Sequence, residues 1–154
     1  MRFSYVHEHG SQTDVRVSFH TPGVTSPEAP TLLLLGRVLD DGLSTRVHQT
    51  ICEDRGLAYE AFAGNDAFED CGVFEFGASV EHKKAPVLVQ TVFELIDELR
   101  RHPPTKDEVE KGRVAPGDIQ QAVQRYLDPE NAYLTCVGVL DDGLLSDVRT
   151  LAGA

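Results

Sequence analysis

The sequence is poor in cysteine, with only Cys52, Cys71 and Cys136 among 154 residues. An odd number of cysteines cannot pair completely, and none of the three shows the Cys-x-x-Cys spacing of a structural zinc site. We therefore expect reduced thiols, no disulfide framework and a reducing compartment, the cytoplasm.

Long apolar runs are also absent. The longest, Leu32 to Leu35, is far too short to cross a bilayer. Residues 1–9 lack both the apolar stretch and the cleavage site of a secretory signal. These absences predict a soluble chain with no membrane partner.

Positive charge is scarce, because 14 Lys and Arg residues face 25 Asp and Glu residues and leave a formal net charge of -11. A nucleic-acid partner needs cationic side chains that displace the counterions of its phosphates. An anionic membrane surface would be repelled in the same way. The composition therefore argues against both partners.

The length and the apolar content set the domain count. With 154 residues, of which 41% are hydrophobic, the chain is long enough to form one hydrophobic core but too short for two separate domain cores. We expect a single domain over residues 1–154, without internal repeats or low-complexity segments.

Alternating and helical patterns predict the order of elements. Two hairpin-paired strands with helices between the other strands favour an α+β fold, an antiparallel-rich sheet with helices packed on one face, over a doubly wound parallel sheet. The predicted strands are 15–19, Leu57 to Ala63, Val73 to Val80 and Tyr133 to Val139. The predicted helices run from Ser26 to the breaker Gly42, from Ser44 or Thr45 to Gly56, through Leu88 and Leu99, and from Asp118 to Tyr126. Thr105 and Glu108 form a predicted capping box.

Several segments, in their order and spacing, resemble the pitrilysin-type zinc metallopeptidase family, which includes insulin-degrading enzyme and the mitochondrial processing peptidases. The similarity is to the domain that follows the zinc-bearing one. The segments that carry it are Gly10 to Thr13, Leu43 to Arg46, Arg55-Gly56-Leu57-Ala58-Tyr59, Cys71 to Phe74, Thr105 to Lys111 and Tyr126 to Asn131.

The resemblance implies a domain without its own metal. Family members hold zinc with an inverted His-x-x-Glu-His motif on a different domain, and this sequence has no such motif. His7-Glu8-His9 has the right residue types at the wrong spacing, which favours a polar segment that leads into a strand. We expect no cofactor in this chain and zinc only in a partner subunit.

In the family, an arginine and a tyrosine of this second domain approach the substrate and stabilise the tetrahedral intermediate. Tyr59 matches the tyrosine, whereas Cys52 occupies the arginine position and offers neither the charge nor the fork of donors. Tyr59, Arg55 and Gly56 are the predicted substrate contacts. Tyr59 could instead be a packed strand residue, and Arg55 could simply be the cation at a helix end that Gly56 caps.

The resemblance implies a catalytically incompetent half that binds peptide beside a zinc-bearing peptidase subunit. The alternative is a non-proteolytic interaction module or a homodimer that keeps only the fold. A third possibility, a hydrolase built on His48 and Cys52 at helical i, i+4 spacing, lacks an orienting acid. Only Gly112 to Gly117 stands where the family usually has a further helical pair, so the domain is a shortened version whose bare surface a partner or a second copy would cover.

Overall fold

The computed structural model describes residues 1–41, 45–105, 109 and 115–153. Its described elements are β1 (Arg2–His7), β2 (Thr13–Pro22), α1 (Ala29–Leu39), α2 (Arg46–His48, continued by a π-helical turn over Gln49–Asp54), β3 (Ala61–Ala67), β4 (Cys71–Val80), α3 (Ala85–Arg101), α4 (Pro116–Tyr126), β5 (Tyr133–Gly138) and α5 (Asp142–Leu151).

The described strands form a five-stranded sheet in the order β1-β5-β2-β4-β3. The β1–β5 pair is parallel, and every other neighbouring pair is antiparallel. Because side chains alternate between the faces of a strand, Val17 and Phe19 of β2 lie on the same buried face as Phe74 and Phe76 of β4. The α+β prediction with an antiparallel-rich sheet is confirmed.

The helices cover this buried face. Helix α3 turns an apolar stripe toward β2 and β4, while charged residues such as Glu94 and Asp97 lie on its outer side. The opposite face of the sheet is polar: the Ser18 hydroxyl donates to the Glu75 carboxylate at 2.8 Å, and the Arg16 guanidinium pairs with Asp14 at 3.0 Å. In the part of the chain that the structure describes, no helix is both long and apolar enough to cross a membrane.

Helix α1 approaches the backbone of β3 closely at Gly36. A Cβ atom added to Gly36 would lie 3.3 Å from the Cα of Gly64, which is tighter than ordinary van der Waals contact. This contact brings the end of α1, and Asp40 just beyond it, beside the start of β3. There the Asp40 carboxylate accepts the backbone N–H of Ala63 at 3.1 Å.

The structure corrects the predicted elements in three places. Strands β1 and β5 form a parallel pair at the edge of the sheet, and β1 was not predicted. Helix α5 was also missed, although Asp141 caps it by accepting the N–H of Leu144 at 2.8 Å. The strand expected over Leu57 to Ala63 is wrong at both ends, because pairing with β4 runs from Ala61 to Ala67.

Some predicted features lie outside the described residues. These are the helix breaker Gly42, the Ser44 cap, the Glu108 half of the capping box and the first half of the linker from Gly112 to Gly117. Helix α4 begins at Pro116, two residues before the predicted Asp118, because proline is tolerated in the first helical turn. Asp118 acts there as a cap, accepting the N–H of Ala115 at 3.1 Å.

Candidate functional site

An open cleft of about 640 Å³ lies where the end of α1, the π-helical turn and the start of β3 meet. Two of the residues singled out from the sequence, Tyr59 and Cys52, both line it. The lining residues are Asp40, His48, Cys52, Glu53, Ala58, Tyr59, Glu60, Ala61 and Phe62.

Tyr59 reaches the cleft because the π-helical turn is stopped sharply before it. Gly56 adopts a left-handed φ of 56°, which disfavours other residues, and the N–H of Leu57 bonds back to the Ile51 carbonyl at 2.9 Å. Leu57 is buried and anchors the chain, so the next residues run along the surface. Tyr59 is 96% exposed, and no described residue bonds its hydroxyl. The alternative of a tyrosine packed within a strand is thus not what the structure shows.

Cys52 faces the cleft from the π-helical turn and is half-buried. Burial, followed by the neighbouring Glu53 carboxylate, raises the pKa of its thiol, and a backbone hydrogen bond from Ala61 offsets only part of that rise. A nucleophilic cysteine needs the opposite shift, because the thiolate is the reactive form. The Cys52 thiol is therefore suited to packing and weak hydrogen bonding.

His48 lies beside Cys52 in the cleft wall, as the i, i+4 spacing predicts. Its Nδ1 atom is buried and has no hydrogen-bond partner in the part of the chain that the structure describes. An activating base would have to be oriented by a third group and bonded to the nucleophile. The arrangement of His48 and Cys52 lacks both features, which argues against an independent cysteine hydrolase.

The cleft is acidic. Asp40, Glu53 and Glu60 come from three different stretches of chain, and the charge of each contributes to the raised pKa of the Cys52 thiol. No Lys or Arg is among the described residues that line the cleft. The Cys52 thiol therefore lies among carboxylates. Sequence reasoning missed these acidic residues, because nothing in their spacing indicates that they converge.

Arg55 points away from the cleft and toward α3. Its guanidinium donates to the Thr91 hydroxyl at 2.7 Å and to the Glu94 carboxylate at 2.6 Å. The carbonyl of Gly56 likewise accepts a hydrogen bond from the Lys84 ammonium at 3.1 Å. These bonds fasten the end of the π-helical turn to the start of α3. A substrate contact by Arg55 or Gly56 stays a prediction, and both residues have a clear role in holding Tyr59 in place.

A zinc ion of the family type does not fit this site. The described residues contain no group of three or more His, Cys, Asp or Glu side chains arranged to hold a metal ion. The sequence also lacks the His-x-x-Glu-His motif. The described residues of the cleft therefore do not supply the ligands of a zinc site of this type.

Comparison with protein families matches residues 2–115 to a model described as the peptidase M16 inactive domain. An uncharacterized zinc protease of Mycobacterium leprae (strain TN) is 28% identical over 127 residues, which is 82% of this chain and 28% of that protein. An uncharacterized zinc protease of Streptomyces coelicolor is 30% identical over 105 residues, 68% of this chain and 22% of that protein. The chain thus spans less than a third of the length of these relatives.

Solved structures share the fold at low sequence identity. A peptidase M16 inactive domain from Pseudomonas fluorescens superimposes with a TM-score of 0.82 at 14% identity, over 92% of this chain and 45% of that one. The inactive peptidase domain of a putative zinc protease from Bordetella parapertussis gives a TM-score of 0.73 at 19% identity, over 85% of this chain and 94% of that one.

Proposed function

The chain belongs to the family of peptidase M16 inactive domains, and from that premise we propose that it binds peptide as the metal-free half of a zinc-dependent peptidase. A partner subunit supplies the zinc site, and this chain supplies the opposite wall of the peptide-binding chamber. We propose that the chain itself binds no cofactor. Its proposed location is the cytoplasm, in line with its three unpaired cysteines.

The observation that carries this proposal is the placement of Tyr59. An aromatic side chain that is 96% exposed contributes no burial energy to the folded chain. Nevertheless, Gly56 and the bonds from Arg55 to α3 hold the segment that presents Tyr59. Exposed aromatic residues with a hydroxyl are frequent anchors of binding sites, because they combine a large apolar surface with one polar group. Tyr59 therefore fits a surface that meets a ligand.

The chemistry available at the cleft is binding. The Tyr59 hydroxyl can donate one hydrogen bond to a peptide carbonyl or to a developing oxyanion. Cys52 cannot replace the second, charged donor of the family, because a thiol is a weak donor without charge. The chain thus keeps part of the inherited wall, and cleavage depends on the partner.

The acidic lining indicates which peptides suit the cleft. Asp40, Glu53 and Glu60 would attract a peptide that carries Lys or Arg, and the formal net charge of -11 strengthens this preference at a distance. We expect cationic peptides to bind more tightly than acidic ones of equal length, and the difference to shrink as salt is raised.

Site-specific photo-crosslinking tests the proposal. Benzoylphenylalanine is incorporated in place of Tyr59, the chain is irradiated in its native host, and the adducts are identified by mass spectrometry. The matched control carries the probe in place of Tyr133, which is 42% exposed on β5 and does not line the cleft.

The proposal requires that position 59, and not position 133, crosslinks to peptides or to a protein that contains His-x-x-Glu-His. Adducts at position 59 with a second copy of the chain alone would instead support the homodimer. Adducts only with proteins that lack the motif would support the non-proteolytic interaction module and end the catalytic-half proposal.

A further inference from the structure

The turn that follows β1 carries two histidines that the proposed function does not use. The imidazole rings of His7 and His9 lie with their centroids 5.1 Å apart, and both side chains are exposed. We propose that His7 and His9 chelate a divalent transition-metal ion of the kind that prefers imidazole, such as Cu²⁺ or Ni²⁺. This site is unrelated to the zinc motif of the peptidases, because it has two histidines at i, i+2 and no helix.

The backbone brings the two rings together. His7 is the last residue of β1, where it pairs with Gly138 of β5, and the N–H of the intervening Glu8 bonds to the Gly138 carbonyl at 3.1 Å. Residues at i and i+2 of an extended chain share one face, so Glu8 points the other way. At this separation the His9 ring can rotate toward an ion bound by His7, while His7 keeps its contact with Tyr5.

Tyr5 sets the nitrogen that His7 offers. The Tyr5 hydroxyl donates its single proton to the Gly138 carbonyl at 3.1 Å, and its oxygen accepts the N–H of Leu140 at 3.1 Å. The same oxygen lies 3.2 Å from Nδ1 of His7, and in the tautomer that carries a proton on Nδ1 it accepts a hydrogen bond from that nitrogen. The lone pair of His7 then resides on Nε2. A polar group that fixes the tautomer in this way is the usual outer-shell support of a metal-binding histidine.

Other nearby groups are already engaged or absent from the site. His82 has its Nδ1 atom 2.8 Å from the Thr13 hydroxyl and its Nε2 atom 3.2 Å from the Gly10 carbonyl, so neither nitrogen is open to a metal. Two protein ligands leave the remaining positions to water. Such a site follows the usual order of affinity, in which Cu²⁺ binds more tightly than Ni²⁺ and both bind more tightly than Mn²⁺.

Copper titration of the untagged chain tests the proposal. Binding of Cu²⁺ is followed by calorimetry, and the number of coordinated nitrogens by electron paramagnetic resonance. We expect one saturable site with two imidazole nitrogens. Both His7→Ala and His9→Ala should abolish it, whereas His20→Ala, which removes an exposed histidine of β2, should leave it intact.

Tyr5→Phe separates positioning from folding. It should keep the stoichiometry of one ion but weaken binding about tenfold, the usual effect of losing an outer-shell partner. Nitrogen NMR of the metal-free variant should show a changed tautomer ratio for His7 and an unchanged one for His20. Unchanged copper binding in His7→Ala, or equal loss in His20→Ala, would overturn the proposal.

Discussion

Replacing Tyr59 by phenylalanine separates the proposed binding role of this side chain from its contribution to the fold. The substitution removes one hydroxyl from a side chain that is 96% exposed and has no described hydrogen-bond partner. The folded chain therefore loses no contact, and we expect the free energy of unfolding to change by less than about 0.5 kcal/mol, as for other surface substitutions.

Peptide binding should respond differently to the same change. If the hydroxyl donates one hydrogen bond to the bound peptide, its loss costs about 0.5 to 1.5 kcal/mol, or about a two- to twelve-fold rise in Kd. The assay is fluorescence anisotropy with labelled Lys- and Arg-rich peptides, together with thermal unfolding of the same preparations. Partner-dependent cleavage, once a zinc-bearing subunit is in hand, should fall by a similar factor.

The matched control is Tyr133→Phe, because Tyr133 is an exposed tyrosine of β5 away from the cleft. It should alter neither stability nor binding. A lower melting temperature in Tyr59→Phe would show that the hydroxyl is structurally bonded, and unchanged peptide affinity would show that Tyr59 does not face the ligand. Either result would refute the reasoning from exposure to function.

Three further predictions concern the frame around Tyr59. Cys52→Arg should fold and lose less than about 1 kcal/mol in free energy of unfolding, because the half-buried position opens on an acidic cleft. A loss of about 3 to 5 kcal/mol in denaturant unfolding would instead indicate a packed core. Gly56→Ala should cost about 1 to 2 kcal/mol in the same assay because of its left-handed φ, whereas Gly117→Ala, at an open position of α4, should be neutral or stabilising. The hydrogen bond from Arg55, followed by that from Gln90, lowers the pKa of Glu94 from its ordinary value of 4.5. The ion pair therefore stabilises the fold above pH 4.5, and this stabilisation is lost as the pH falls through the lowered pKa. At pH 7 the Glu94→Gln variant should therefore have a slightly lower melting temperature than wild type, which corresponds to a loss of under about 1 kcal/mol in the free energy of unfolding. In acid the two melting temperatures should converge.

The sequence was most informative where one local pattern decides the structure. The alternation between Val15 and Phe19 predicted β2, and the apolar stripe of α3 from Leu88 to Leu99 predicted a helix against the sheet. The left-handed cap at Gly56 followed from a glycine at the end of a helical pattern. In each case neighbouring residues carry the whole signal.

The sequence was least informative where distant segments meet. Strand β1 is stabilised by parallel pairing with β5, more than a hundred residues further along the chain, and its own residues give no sign of that partner. Strand β3 runs through Gly64, Asn65 and Asp66, which disfavour strands, because pairing with β4 outweighs their local preference. The acidic cleft has the same origin, since it forms only when α1 lies beside β3.

The close approach of Gly36 to Gly64 also bears on how this site can evolve. The depth of the cleft depends on how near α1 lies to β3, and Gly36, which permits that approach, does not line the cleft. Residues such as Cys52 and Glu60 can therefore be exchanged without reshaping the wall. A methyl group at Gly36 would instead press on the backbone of Gly64 in β3, which would have to give by a few tenths of an ångström. The missing side chain at Gly36 thus keeps α1 and β3 at one spacing, whichever side chains line the cleft.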